Sequence, residues 1–187
     1  MAERYDLLIR GGTVIDGTLA PRYAADVAVR DGRIAAIGAL QGARAAAEID
    51  ATGRIVAPGF IDAHTHDDRL LLSDPSMAPK ASQGVTTVVT GNCGISLAPM
   101  PAGTKPPPPL DLLDEGGGWF RFPRFADYVA ALREQPAATN AALLVGHSTL
   151  RVQAMADLGR PANAKEVARM RALADEALAA GAIGVST

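Results

Sequence analysis

Residues 58–66 read Pro58-Gly59-Phe60-Ile61-Asp62-Ala63-His64-Thr65-His66. A Pro-Gly turn signal opens the stretch, and Phe60-Ile61-Asp62-Ala63-His64 is a strand candidate. Alternate side chains of a strand share one face, so Asp62, His64 and His66 point the same way if extended geometry persists to His66. Two imidazoles two residues apart suit a divalent metal such as zinc. A nearby carboxylate can orient an imidazole or bridge a water. A polar strand end meeting solvent, with Asp67-Asp68 as a solvated turn, accounts for the same residues without any metal.

Downstream, strands and helices alternate. Val85-Thr86-Thr87-Val88-Val89-Thr90 is strongly β-branched and reads as a second strand. Residues 141–145 read as a third, and Ile183-Gly184-Val185 begins a fourth. Between them Phe125, Val129 and Leu132 recur at helical spacing before Pro136. Asn163 with Glu166 three residues on is a capping-box start. Val167, Met170, Leu173, Ala174, Ala177 and Leu178 then form one helix face, and Gly181 stands where a C-terminal cap belongs. This alternation implies parallel βα units, and the continuous apolar runs fit a sheet buried on both faces. Asp62, His64 and His66 then face inward at the C-terminal end of the first strand, where α/β barrels keep their chemistry. An eight-stranded (β/α)8 barrel takes about 250 residues. Counted from residue 58, roughly half of one is expected here, broken off at Thr187 as the fourth strand begins.

Upstream, residues 1–57 read as a small β unit without a convincing helix. Residues 5–9 are an apolar strand followed by Gly11-Gly12, a turn signal. Asp26-Val27-Ala28-Val29-Arg30 and Arg33-Ile34-Ala35-Ala36-Ile37-Gly38 flank Asp31-Gly32, a strong hairpin signal. Residues 48–50 and 54–57 are further strand pieces around Thr52-Gly53. The expected domains are therefore 1–57 and 58–187.

Composition bounds the rest. The 187 residues are 48 % hydrophobic and 20 % charged, ordinary for a globular chain. A net charge of −2 provides no basic field to draw the protein to nucleic acid or an anionic membrane. No run approaches the roughly 20 apolar residues of a membrane span, and Leu7-Leu8-Ile9 is too short for a signal-peptide core. The cytoplasm is the default location.

The single cysteine, Cys93, rules out an internal disulfide. It is a small buried hydrophobe, a nucleophile or a metal ligand. It ends the second strand, and adjacent parallel strands lie about 4.8 Å apart, so its thiol can approach a metal held beside the first. Residues 94–123 form a long Pro- and Gly-rich connection of the kind that is usually functional or disordered. Around it Trp119, Phe120, Phe122 and Phe125 either line a pocket for an acyl group or pin the loop. His147 ends the third strand, where it either contacts the site or satisfies neighbouring backbone. Gly146-His147-Ser148 is not a nucleophile elbow, which needs Ser between glycines.

The stretch 58–66 resembles the first-strand signature of the amidohydrolase superfamily, metal-dependent hydrolases on a (β/α)8 barrel. Many of these carry a small β-sandwich assembled from both chain ends, and residues 1–57 resemble its N-terminal part. The segment Ser82-Gln83-Gly84-Val85-Thr86-Thr87-Val88-Val89-Thr90-Gly91-Asn92-Cys93-Gly94 resembles the N-acyl-D-amino-acid deacylase (D-aminoacylase) branch, in which a Cys replaces the carboxylated Lys common elsewhere. Residues 110–116, 145–151 and 181–187 match that branch too. The resemblance implies zinc as cofactor. It implies that His64 and His66 match ligands of a weaker second metal position and Cys93 a ligand of the tightly held one. Two further histidine ligands and the general-base Asp are implied beyond Thr187, so no catalytic residue is assigned within this chain. The implied reaction is hydrolysis of an N-acyl-D-amino acid, a small-molecule substrate, to a carboxylate and a free D-amino acid. Three alternatives stand beside it. One is a cyclic-amide hydrolase, against which Cys93 argues. The others are Cys93 as nucleophile with His147 as base, and a fragment without activity.

Overall fold

A computed structural model describes residues 4–103, 105–114 and 116–187. The readings of Met1–Glu3 and of Glu115 within the matching stretch 110–116 lie outside the described residues. The chain divides into two compact units, Met1–Pro58 and Gly59–Thr187.

In the first unit β1 (Arg4–Val14) is central. It pairs antiparallel with β2 (Tyr23–Arg30), which pairs in turn with β3 (Arg33–Gly38). On its other side β1 runs parallel to β4 (Arg44–Asp50), and its end pairs with β5 (Ile55–Val56). The β2–β3 hairpin turns on Asp31 and Gly32, both with positive φ (52° and 68°), as the Asp-Gly signal predicts. Gly11-Gly12 is not a turn. The strand runs through it as a bulge, with the register stepping from Ile9↔Val27 to Gly12↔Ala25. The amide freed there is not lost, because Gly11 N donates to Asp26 Oδ1 at 2.8 Å. Tyr5, Leu8 and Ala28 are the buried centre of this sheet.

The second unit is built on four parallel strands in chain order: β6 (Phe60–Asp62), β7 (Val85–Thr90), β8 (Asn140–Gly146) and β9 (Gly184–Ser186). Their registers include Ile61↔Thr87, Val88↔Ala141 and Val145↔Val185. Two short helices, α1 (Leu70–Ser73) and α2 (Ala78–Ala81), join β6 to β7. The helix α3 (Phe125–Glu134) precedes β8, and α4 (His147–Ala154) and α5 (Ala164–Ala179) follow it. Val88, Leu143 and Val145 bury one face of the sheet in a cluster with Leu71, Phe125, Tyr128 and Leu150. The sheet is not buried on both faces as expected. Ile61 is 65 % exposed and Ile183 63 % exposed. Four strands begin a barrel without closing it, so its interior face stays open.

Three local expectations change. The first strand stops at Asp62, leaving His64 and His66 on the segment beyond it. On α5 the packed face is Met170, Leu173, Ala174 and Ala177, while Val167 and Leu178 are exposed. The Pro- and Gly-rich connection also supplies core. Ile95, Leu97 and Met100 are buried, as are Leu110 and Leu113 of a 3-10 turn (Leu110–Asp114). Phe120, Phe122 and Phe125 are buried with them and Trp119 packs alongside, so these aromatics pin the connection.

Candidate metal centre

The sheet brings two chain segments together at the C-terminal ends of neighbouring strands. After β6 the chain stays beside β7, because Thr65 N donates to Val89 O at 3.2 Å. Thr65 itself is buried, with the more open His64 and His66 on either side of it in the chain. After β7 the chain turns sharply through Gly91-Asn92-Cys93-Gly94. Gly91, Cys93 and Gly94 all have positive φ, with Cys93 at 54°. A left-handed non-glycine residue costs on the order of 1–3 kcal/mol and persists only where its surroundings fix it.

This turn aims the thiol at the histidines. His64 Nε2 lies 3.1 Å from Cys93 Sγ. The rings of His64 and His66 meet edge to face at 5.9 Å between centroids. One ligand atom from each of His64, His66 and Cys93 falls within 4.8 Å of the others. His64 and Cys93 are exposed and His66 half-buried, so the cluster opens to solvent on one side. The Nδ1 atom of His66 is buried with no hydrogen-bond partner among the described residues. Burial, aided by the neighbouring His64, holds the His66 pKa below its ordinary value, which favours the neutral ring. Two imidazoles, one with an unclaimed buried nitrogen, and a thiol are a donor set that fits zinc.

Asp62 does not orient an imidazole. Its Oδ1 accepts the backbone N–H of His64 at 3.3 Å, and its Oδ2 pairs with Lys80 Nζ at 2.6 Å. The Lys80 bond, then the His64 amide, holds the Asp62 carboxyl below the usual carboxylate range. Lys80 also lies 3.1 Å from Asp67 Oδ2, so α2 is tied to both ends of the histidine segment. His147 is the exposed first residue of α4 and is not one of the three clustered groups. The nitrogen seen beside the Cys93 thiol is that of His64.

Other residues shape the centre that the sequence does not single out. Asp68, read as part of a solvated turn, is only 1 % exposed. Its Oδ2 accepts Gly91 N–H at 3.1 Å and its Oδ1 accepts Leu97 N–H at 3.4 Å. Burial pushes its carboxyl up to about 7, against the pull of these two amides. The Asn92 side chain donates to Val89 O at 2.7 Å and Thr65 O at 3.3 Å, joining the cysteine turn to the histidine segment. Their partners lie up to 29 residues away, so no local pattern marks them.

The profile of the amidohydrolase family matches residues 47–187. The chain belongs to the amidohydrolase family. A D-aminoacylase of Alcaligenes xylosoxydans xylosoxydans is 62 % identical over 186 residues, covering 100 % of this amidohydrolase chain and 38 % of that protein. A solved D-aminoacylase described with a binuclear metal centre superposes with a TM-score of 0.94 at 63 % identity, over 98 % of this chain and 38 % of its own. The N-acyl-D-glutamate deacylase of Bordetella bronchiseptica, solved with zinc and a phosphonate mimic of the tetrahedral intermediate, superposes at 0.92 with 49 % identity. It covers 99 % of this chain and 38 % of its own. The match places this amidohydrolase in the D-aminoacylase branch, and the chain spans well under half the length of these relatives.

Proposed function

We propose that this chain forms the first part of a zinc-dependent deacylase that cleaves N-acyl-D-amino acids to a carboxylate and a free D-amino acid, with His64, His66 and Cys93 as metal ligands. The observation that carries the reading is the convergence of one thiol and two imidazoles within 4.8 Å, from the ends of two adjacent parallel strands. The kinship with D-aminoacylase and N-acyl-D-glutamate deacylase supports the substrate class. Residues 1–57 serve as the N-terminal portion of a β-sandwich and 58–187 as an incomplete barrel. The remaining ligands and the general-base Asp come from chain beyond Thr187. His64, His66 and Cys93 would hold a divalent ion, which when bound would supply Lewis-acid chemistry for amide hydrolysis. The chain's own residues prepare for it. Burial disfavours the charged form of the His66 imidazole, and its buried Nδ1 carries no hydrogen bond among the described residues. The left-handed turn directs Cys93 toward His64. Asp62, held by Lys80, fixes the backbone amide of His64. No helix among the described residues is long and apolar enough to cross a membrane. With that, the lone cysteine and the charge of −2 support a cytoplasmic enzyme that binds neither membrane nor nucleic acid.

The test uses the full-length protein carrying this segment. Metal content is measured by mass spectrometry, and hydrolysis of matched N-acetyl-D- and N-acetyl-L-amino acids is compared. About one or two zinc ions per chain are expected, with turnover of the D series alone. Removing an outer partner of a metal typically costs about 10–100-fold in affinity or activity, so Cys93→Ala, which removes a ligand, is expected to cost at least that. Full zinc content and full turnover in Cys93→Ala would sink the reading.

A further inference from the structure

We propose that Ser186, on β9, is a positioning residue for Cys93: its hydroxyl closes the cysteine turn from a strand two places away. The inference rests on reading Cys93 as a metal ligand. Ser186 Oγ accepts the Gly94 N–H at 3.0 Å and donates to Gly91 O. Those two residues bracket Asn92-Cys93, so one hydroxyl, a donor and an acceptor at once, ties both ends of the turn. Just after it, the Ile95 N–H donates back to Asn92 O at 3.0 Å. On the opposite side Asn92 binds Thr65 O and Val89 O, and Asp68 binds Gly91 N–H. The turn is thus gripped from the histidine segment on one side and from β9 on the other.

The fold is arranged to let Ser186 reach. In the sheet β8 lies between β7 and β9, and Gly146 of β8 is in register with Ser186. A Cβ on Gly146 would lie 2.4 Å from Gly94 O, and one on Gly91 would lie 2.0 Å from Leu144 O. The two glycines let the cysteine turn settle onto the end of β8, and Ser186 bonds it there. The N–H groups of Ser148 and Thr149, at the start of α4, point to the same Gly94 carbonyl at 2.8 and 3.3 Å. Cys93 therefore faces His64 with its backbone already set by four separate elements.

The experiment loads the full-length protein with cobalt(II) and reads the thiolate-to-cobalt charge-transfer band, together with cobalt affinity by competition with a chelator. In the parent protein the band is expected. In Ser186→Ala the band weakens or shifts and affinity falls by about 10–100-fold, the range for losing an outer partner of a metal site. Ser186→Thr keeps the hydroxyl and restores both. A parent protein with the band, and an alanine variant with the same band and affinity, would overturn the positioning role while leaving Cys93 a ligand. A parent protein with no band overturns the ligand assignment itself, and this inference with it. Should Ser186→Ala fail to fold, hydrogen exchange at the Gly94 amide of the metal-free parent decides. Protection supports a turn set in advance by Ser186; free exchange overturns it.

Discussion

At Asp68 two opposed effects meet in one side chain. Burial disfavours its charge, yet the amides of Gly91 and Leu97 both donate to it. Its own backbone carbonyl accepts the Tyr128 hydroxyl at 2.7 Å, so α3 also holds the segment. Asp68→Ala leaves two buried N–H groups without an acceptor. At about 1–3 kcal/mol for each unsatisfied buried group, it is expected to destabilise the protein by roughly 2–6 kcal/mol. Chemical unfolding of the two proteins checks this, and a change below about 0.5 kcal/mol, the usual scatter of surface substitutions, would contradict it. His64 and His66 were legible in the sequence because their spacing is itself the signal. Asp68, Asn92 and Ser186 were not, because each acts on backbone groups distant in the chain. Ser186 lies 92 residues from Gly94.

Among the elements, α5 shows how far local signals reach. Asn163 accepts the Glu166 N–H at 3.0 Å, and Glu166 accepts the Asn163 N–H at 2.9 Å, as the capping-box reading predicts. Arg160 adds a forked pair to the Glu166 carboxylate at 2.6 and 2.8 Å. The Arg160 bonds, then the Asn163 amide, lower the Glu166 pKa to about 2 from an ordinary 4.5. A carboxylate whose folded pKa is depressed stabilises the fold fully above its unfolded value and loses that contribution as pH falls through the folded one. The Tm gap between the parent and Glu166→Gln is therefore expected to be widest above pH 4.5 and to close as pH falls to about 2. A gap independent of pH across that range would remove Glu166 from the account. By contrast α4 gave no warning, because its start rests on Gly94 O, far back in the chain, and its run His147-Ser148-Thr149 is polar. The connection 94–123 looked loose by composition, yet its scattered apolar residues pack into the core that α3 and α5 share.

At the scale of the molecule, apolar surface decides behaviour. Among the described residues β6 and β9 each pair on one side only, and Phe60, Ile61, Ile183 and Val185 are exposed. The first unit has a groove of about 350 Å³ lined by residues such as Ile9, Val14, Val29 and Ile34. Unpaired strand edges and contiguous apolar patches promote association. The 187-residue chain made alone is expected to bind a hydrophobic dye strongly and to run larger than a monomer in light scattering. A full-length protein with the relatives' extent should do neither, and a dye-silent monomeric 187-residue chain would contradict this. The alternation of strand and helix and the β-branched β7 made the parallel sheet legible. How much of each face is covered depends on strands that local patterns in this chain do not describe.

The link between Ser186 and the cysteine turn also sets a clock. On a ribosome adding about 5–20 residues each second, the 92 residues between Gly94 and Ser186 take roughly 5–18 s to appear. Through that interval the newborn Cys93 thiol has no β9 hydroxyl to hold its turn, and it is then that a stray oxidant or the wrong ion meets it least constrained.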